Sequence, residues 1–150
     1  MIIRDYQPSD FEAVIHLWWI SWHSSSGYQH NRVIADWKQR WHQLEQTHKV
    51  VVVEHQSQPI AFAALAPEHC ILSQLFVLPD WKRRGIGRQL MQWVSSQCPN
   101  GFSLRTAADN EESRAFYEKL GLVEVGRSIN DFNGREEVEY TKAGDRTGLS

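Results

Sequence analysis

The stretch Arg83-Arg84-Gly85-Ile86-Gly87-Arg88 puts three arginines and two glycines where a strand should give way to a helix. The first amides of a helix have no partner inside it and lie at the positive end of its dipole. Two glycines at spacing two let the chain turn and let an anion approach the bare backbone. Arg83, Arg84 and Arg88, with Lys82 just before them, add positive charge at the rim. Residues 83 to 88 therefore read as a seat for a phosphate or pyrophosphate. The competing reading is a tight turn whose basic residues face water. Two familiar phosphate loops fit less well. A Walker loop needs Gly, four residues and Gly-Lys-Ser/Thr, which is absent. A dinucleotide fingerprint needs a third glycine where Leu90 stands.

The elements that must hold this turn follow from the hydrophobic periods. Ile2-Ile3 can start a short strand. Ser9-Asp10-Phe11-Glu12 reads as a capping box, the serine oxygen accepting from a first-turn amide and Glu12 reaching back. Phe11, Val14, Ile15, Trp18 and Trp22 predict a helix to about Trp22, broken by Ser24-Ser25-Ser26-Gly27. A second helix fits residues 31 to 46, with Val33, Ile34, Trp37, Trp41 and Leu44 on one face. Val50 to Val53, Ile60 to Ala66 and Ile71 to Val77 then predict three strands with short turns, an antiparallel meander. After Pro79 a helix carries Ile86, Leu90, Trp93 and Val94 on one side, until Cys98-Pro99-Asn100-Gly101 stops it. Phe102 to Thr106 is a strand and Asn110 to Leu120 a helix, with Gly121 as its cap. Val123 to Val125 and Val138 to Thr141 close the domain around Asn133-Gly134, and residues 143 to 150 read as a flexible tail. The crossover between residues 71 and 106 makes its two strands parallel. The expected architecture is one α/β (α+β) domain over residues 1 to 142. Its central sheet is mixed and mostly antiparallel, of about seven strands, with helices on both faces.

Composition narrows the function classes. The chain has 150 residues, 41% hydrophobic and 23% charged, which suits one folded domain. No apolar run is long enough to span a membrane, and Met1-Ile2-Ile3-Arg4-Asp5 lacks the features of a signal peptide. The formal charge of -2 removes the global electrostatic case for nucleic acid. Cys70 and Cys98 form neither a disulfide framework nor metal-ligand spacing, so a reducing cytoplasm, thiols without a role and no metal are expected.

The segment Leu75-Phe76-Val77-Leu78-Pro79-Asp80-Trp81-Lys82-Arg83-Arg84-Gly85-Ile86-Gly87-Arg88-Gln89-Leu90 resembles the GNAT superfamily of acyl-CoA-dependent N-acetyltransferases. That family carries Gln/Arg-x-x-Gly-x-Gly/Ala after a strand and a proline. Here Lys82 stands at the Gln/Arg position, which keeps the charge and loses the fork of arginine. A second segment, Asn110-Glu111-Glu112-Ser113-Arg114-Ala115-Phe116-Tyr117-Glu118-Lys119-Leu120-Gly121-Leu122, is similar to the family's Asn-led helix ending Phe-Tyr-x-x-x-Gly-Phe, with Leu122 for the last aromatic.

The resemblance implies that the amides of Arg83, Arg84, Gly85, Ile86, Gly87 and Arg88 bind the pyrophosphate of coenzyme A. It implies a strand splayed from its parallel neighbour, with the pantetheine arm against Leu75, Phe76 and Val77. It makes Asn110 a contact to that arm, although asparagine is also a good plain N-cap. It places Tyr117 by the thioester sulfur, as donor to the departing thiolate, although a core aromatic would fit the same helix. The implied reaction is direct transfer of acetyl from acetyl-CoA to an amine, without a covalent enzyme intermediate. The alternative is a non-catalytic acyl-CoA-binding or sensing module. No carboxylate stands mid-strand where relatives keep a base, since Ser73 and Gln74 are on one central strand and Arg105 on the other. Glu68, His69, His23, His30, Glu54 and Glu139 remain as candidates. The acceptor wall implied by the resemblance includes Trp22, His23, Tyr28 and His30. A small amine or amino-acid-like acceptor is expected, because no acidic run offers a groove to a basic peptide. The expected protein is a cytoplasmic monomer or homodimer whose partners are acetyl-CoA and the acceptor, not nucleic acid or a membrane.

Overall fold

The alternation of strand and helix periods along the chain is realised in the computed structural model, which describes residues 1–26, 34–131 and 134–144. The strands are β1 (Ile2–Asp5), β2 (Lys49–His55), β3 (Gln58–Ala66), β4 (Ile71–Val77), β5 (Gly101–Ala107), β6 (Val123–Ile129) and β7 (Glu136–Ala143). The helices are α1 (Phe11–Ser26), α2 (Ile34–Leu44), α3 (Ile86–Gln97) and α4 (Glu111–Lys119). One seven-stranded sheet runs in the order β1-β2-β3-β4-β5-β7-β6. Every adjacent pair is antiparallel except β4 and β5, which the α3 crossover makes parallel. This is the mixed, mostly antiparallel architecture the sequence led us to expect.

The two sheet faces carry different cores. Val51, Val53, Leu65 and Leu104 pack with Ile86, Leu90 and Val94 of α3. Val50, Val52 and Phe62 pack with Val14 and Trp18 of α1 and Trp37 and Trp41 of α2. The run Val50 to Val53 is buried throughout, as a strand covered on both faces requires. Trp18 meets Trp37 edge-on at 4.7 Å, and Trp41 meets Phe62 at 5.3 Å. Such pairs add about 0.5–1.5 kcal/mol each beyond their burial. These tryptophans are core. Trp19 is half-buried beside them.

Some boundaries differ from expectation. Helix α1 passes Trp22 and runs through the serines to Ser26. Serine lowers helix propensity by only about 0.5 kcal/mol and does not break a turn by itself. The entry to α1 is capped differently. The carboxylate of Asp10, not that of Glu12, accepts the Gln7 N–H at 2.8 Å, and the Arg4 guanidinium grips it at 2.8 Å. Glu12 is exposed and faces Lys38. Strand β7 continues past Thr141 to Ala143, which pairs with Gly101, while residues 145–150 lie outside the described residues.

The cysteines require a correction. Cys70 and Cys98 are not separate thiols but one disulfide, with Cα atoms 5.9 Å apart. The α3 helix runs back along the sheet, so its C-terminal cap meets the turn before β4. A separation of 28 residues gave no sign of this. Closing a loop of that length is worth about 3–4 kcal/mol in the chain-entropy account. Reduction by dithiothreitol should therefore lower the unfolding free energy in urea by a similar amount. An unmoved urea midpoint, with two titratable thiols before reduction, would show that the cysteines are unpaired in solution. Among the described residues no helix is long and apolar enough to cross a membrane.

Candidate active site

A bulge opens the site. Ala64 pairs with Gln74 and Leu65 with Leu72, so Ser73 is an extra residue on β4. Leu72, Leu75 and Val77 pack toward α3 and α4, whereas Phe76 packs toward α1 and α2. The odd step from Leu72 to Leu75 is the mark of the bulge, and it turns Gln74 to the side of Phe76. The ladder between β4 and β5 is confined to Ile71↔Ser103 and Leu72↔Leu104. Beyond the bulge the two strands part. A cleft of about 860 Å³ fills the gap, a size usual for a ligand site. Ser73, Gln74, Leu75, Phe76 and Val77 line one wall and Ser103 to Ala107 the other.

The turn into α3 stands at one end of the cleft. Arg83 at φ +65 and Gly85 at φ +82 are both left-handed. Alternating hands in this way curl successive N–H groups toward a common concavity, a geometry able to hold an anion. Among the described residues, no backbone carbonyl accepts from the N–H groups of Arg83 to Arg88. The first bond into α3 runs from the Gln89 N–H to the Gly85 carbonyl at 3.0 Å. Gly87 is needed for a different reason. A Cβ there would stand 3.1 Å from Cζ of Phe116, so its absence lets α3 lie close to α4. Arg83, Gly85, Gly87 and Arg88 line the cleft. Ile86 instead fills the core, and Arg84 stacks over Trp81 at 4.7 Å. These two residues offer backbone rather than side chain.

The side chain of Lys82 bonds Glu112 of α4 at 2.9 Å, and Arg83 lies 3.8 Å from the same carboxylate. Glu112 thus ties the anion turn to α4, a role that helical spacing alone did not suggest. Asn110 caps α4, its Oδ1 accepting the Ser113 N–H at 3.2 Å. The plain N-cap role is therefore present. The Asn110 side-chain N–H₂ remains as a donor on the cleft wall.

Tyr117 is buried and lines the cleft. Its hydroxyl has no hydrogen-bond partner among the described residues, and its ring sits 5.3 Å from Phe116 and 6.2 Å from Tyr140. Burial pushes the phenol well above its ordinary range, so it stays protonated and can only donate.

The opposite side of the cleft carries mixed charge. Trp18, Trp37 and Arg40 come from the helices, Arg105 from β5, and Glu137 and Glu139 from β7. Arg105 faces Glu139 at 3.9 Å, and Glu137 accepts from Asn130 at 2.9 Å. The cleft therefore does hold acidic groups, contrary to the reading of no acidic run. Period-two spacing brings Glu137 to the same face of β7 as Glu139, already a base candidate. Of the base candidates, Glu139 alone among the described ones lines the cleft. Glu54 bonds Arg4 at 2.8 Å on the β1–β2 pair, and Glu68 and His69 are exposed in the turn before β4. Trp22 and His23 lie on the last turns of α1, and their side chains are outside the described residues, as are Tyr28 and His30 altogether. Among the described residues no group of three His, Cys, Asp or Glu side chains could hold a metal.

Comparison with known proteins agrees with this geometry. The model of the Acetyltransferase (GNAT) family matches residues 11–122. The peptidyl-lysine N-acetyltransferase YjaB of Salmonella typhimurium is 33% identical over 85 residues, which is 57% of this chain and 57% of that protein. The matched stretch thus spans little more than half the length of this curated relative. Among solved structures, apo YjaB from Escherichia coli superposes with a TM-score of 0.80 at 22% identity, covering 96% of this chain and 99% of that one. PaiA N-acetyltransferase from Thermoplasma acidophilum, solved in complex with coenzyme A, gives 0.72 at 19% identity, covering 95% and 98%.

Proposed function

The chain belongs to the GNAT acetyltransferase family, and from that premise we propose that it transfers acetyl from acetyl-CoA to a primary amine by direct attack. The observation that carries this reading is the run of N–H groups from Arg83 to Arg88, without a backbone partner among the described residues, at the mouth of the splayed β4–β5 pair. Those amides bind the diphosphate, helped by the charge of Arg83 and Arg88. The backbone of Leu75, Phe76 and Val77 and the side chain of Asn110 hold the arm. When bound, acetyl-CoA supplies an acyl group already activated as a thioester. Tyr117 donates its O–H to the departing sulfur. Direct attack is supported by the absence of a nucleophilic thiol, since both cysteines are in the disulfide.

The acceptor is an amino-acid-like amine. Glu137 and Glu139 suit its ammonium group, and Arg40 and Arg105 suit a carboxylate on the same molecule. Trp18 and Trp37 offer an apolar wall to the stem between them. A lysine side chain of a peptide is the second reading, favoured by the same β7 glutamates and by the similarity to a peptidyl-lysine N-acetyltransferase. Incubation with acetyl-CoA and free amino acids, polyamines, aminoglycosides or lysine peptides decides among these. Coenzyme A release with acetylation of the free amino acids, seen by mass spectrometry, is the expected result. Tight binding of acetyl-CoA with no release on any amine would leave only the acyl-CoA-binding module.

A further inference from the structure

His48 stands at the junction of α2 and β2, half-buried against the bulge of β4. Its Nε2 lies 2.7 Å from the Ser73 hydroxyl oxygen. Its Nδ1 lies 3.1 Å from the Leu44 carbonyl and 2.9 Å from Thr47 Oγ1. A carbonyl oxygen only accepts, so Nδ1 carries the ring proton and Nε2 keeps its lone pair. The Ser73 O–H therefore donates to Nε2. Ser73 lines the cleft, and it does so because the bulge inserts it there.

We propose that Ser73 and His48 form the proton exit for the attacking amine, Ser73 meeting the amine and His48 acting through Ser73. This rests on the transfer reading above. The amine lone pair forms the C–N bond at the thioester carbonyl, the C–S bond breaks, and its electron pair goes to sulfur. The surplus amine proton passes to Ser73 Oγ as the Ser73 hydroxyl proton passes to His48 Nε2. The resulting imidazolium keeps its Nδ1–H bond to Leu44 and returns one proton to water, and the sulfur takes one proton from water. No carboxylate stands on β4; Glu137 and Glu139 are on β7, Glu139 beside Arg105 and Glu137 accepting from Asn130.

The surroundings suit a neutral base. Burial holds His48 below its ordinary value of 6.5, with the Leu44 carbonyl opposing in part. His42 of α2 bonds Glu45 just beyond it, and Arg40 of α2 lines the cleft. On β2, Lys49 bonds Gln97 of α3. Strand β4 bears no charge, and across the cleft Arg105 faces Glu139. His48 itself bonds only Leu44, Thr47 and Ser73 among the described residues. A base with a lowered value works above that value and fails as pH falls through it.

The test combines steady-state kinetics with histidine ring NMR of the ligand-free protein. Ser73→Ala should lower kcat at least about tenfold, with the Kd for acetyl-CoA unchanged, and Ser73→Thr should restore it. His48→Gln should remove the acidic limb of the kcat/KM profile, and the double variant should be no slower than the worse single one. The His48 ring should appear as the Nδ1–H tautomer and titrate below 6.5. Wild-type turnover matched by unchanged kcat in both variants overturns this inference and leaves the transfer reading intact. No turnover by the wild type on any amine sinks both.

Discussion

Gly85→Glu is expected to weaken acetyl-CoA binding about 10³-fold, whereas Gly85→Ala should weaken it little. Gly85 is the N-cap of α3 at φ +82, and a Cβ built on it meets nothing within 4 Å. Space is therefore not the reason for glycine there. Any side chain bears a backbone cost of about 1–3 kcal/mol at a left-handed position. Alanine and glutamate share that cost, and it appears as lost stability. Glutamate alone adds a negative charge beside the amides proposed to take the diphosphate. Two like charges about 4 Å apart at an effective dielectric of about 20 repel by about 4 kcal/mol, which is about three decades in affinity. Calorimetric titration of both variants, with thermal melts as the control for folding, separates strain from charge. Equal affinity in the glutamate and alanine variants would place the anion elsewhere.

The same glycine shows what a sequence can carry. Gly85 and Gly87 looked alike as a Gly-x-Gly pair, yet they act differently: one sets a left-handed turn, the other clears room for Phe116. The element order was legible because each strand and helix has its own period, and the valine run of β2 and the tryptophan stripes of α1 and α2 left little ambiguity. The turn proposed to take the anion could be read because its features are local to six residues. What was not legible depends on contacts between distant positions. Cys70 and Cys98 meet only because α3 returns along the sheet. Ser73 enters the cleft only because a bulge breaks the alternation of β4, and its partner His48 is 25 residues away. Lys82 reads in the sequence as part of the basic rim, but Glu112 takes its ammonium. Short-range patterns specify elements and turns, while bulges and cross-chain pairs are settled by packing.

Tyr117→Phe should lower kcat by about 10²- to 10³-fold, with little change in acetyl-CoA affinity or in stability. The phenol meets no acceptor among the described residues, so deleting its oxygen orphans nothing there. The phenylalanine ring keeps the contacts to Phe116 and Tyr140. A merely structural role would therefore leave kcat nearly untouched. The role also has a definite form. A thiol ordinarily titrates near 8.5 and a phenol near 10. Burial lifts Tyr117 further, so full proton transfer from phenol to thiolate runs uphill. The hydroxyl acts as a hydrogen bond aimed at the charge growing on sulfur, worth most where water is excluded. The pH profile carries the same signature. A donor whose pKa is raised stays protonated as pH rises, so no alkaline limb from Tyr117 should appear below pH 10. A wild-type profile that falls with rising pH below that value, and loses the fall in the phenylalanine variant, would mean instead that the phenol ionises in the working enzyme and donates its proton outright.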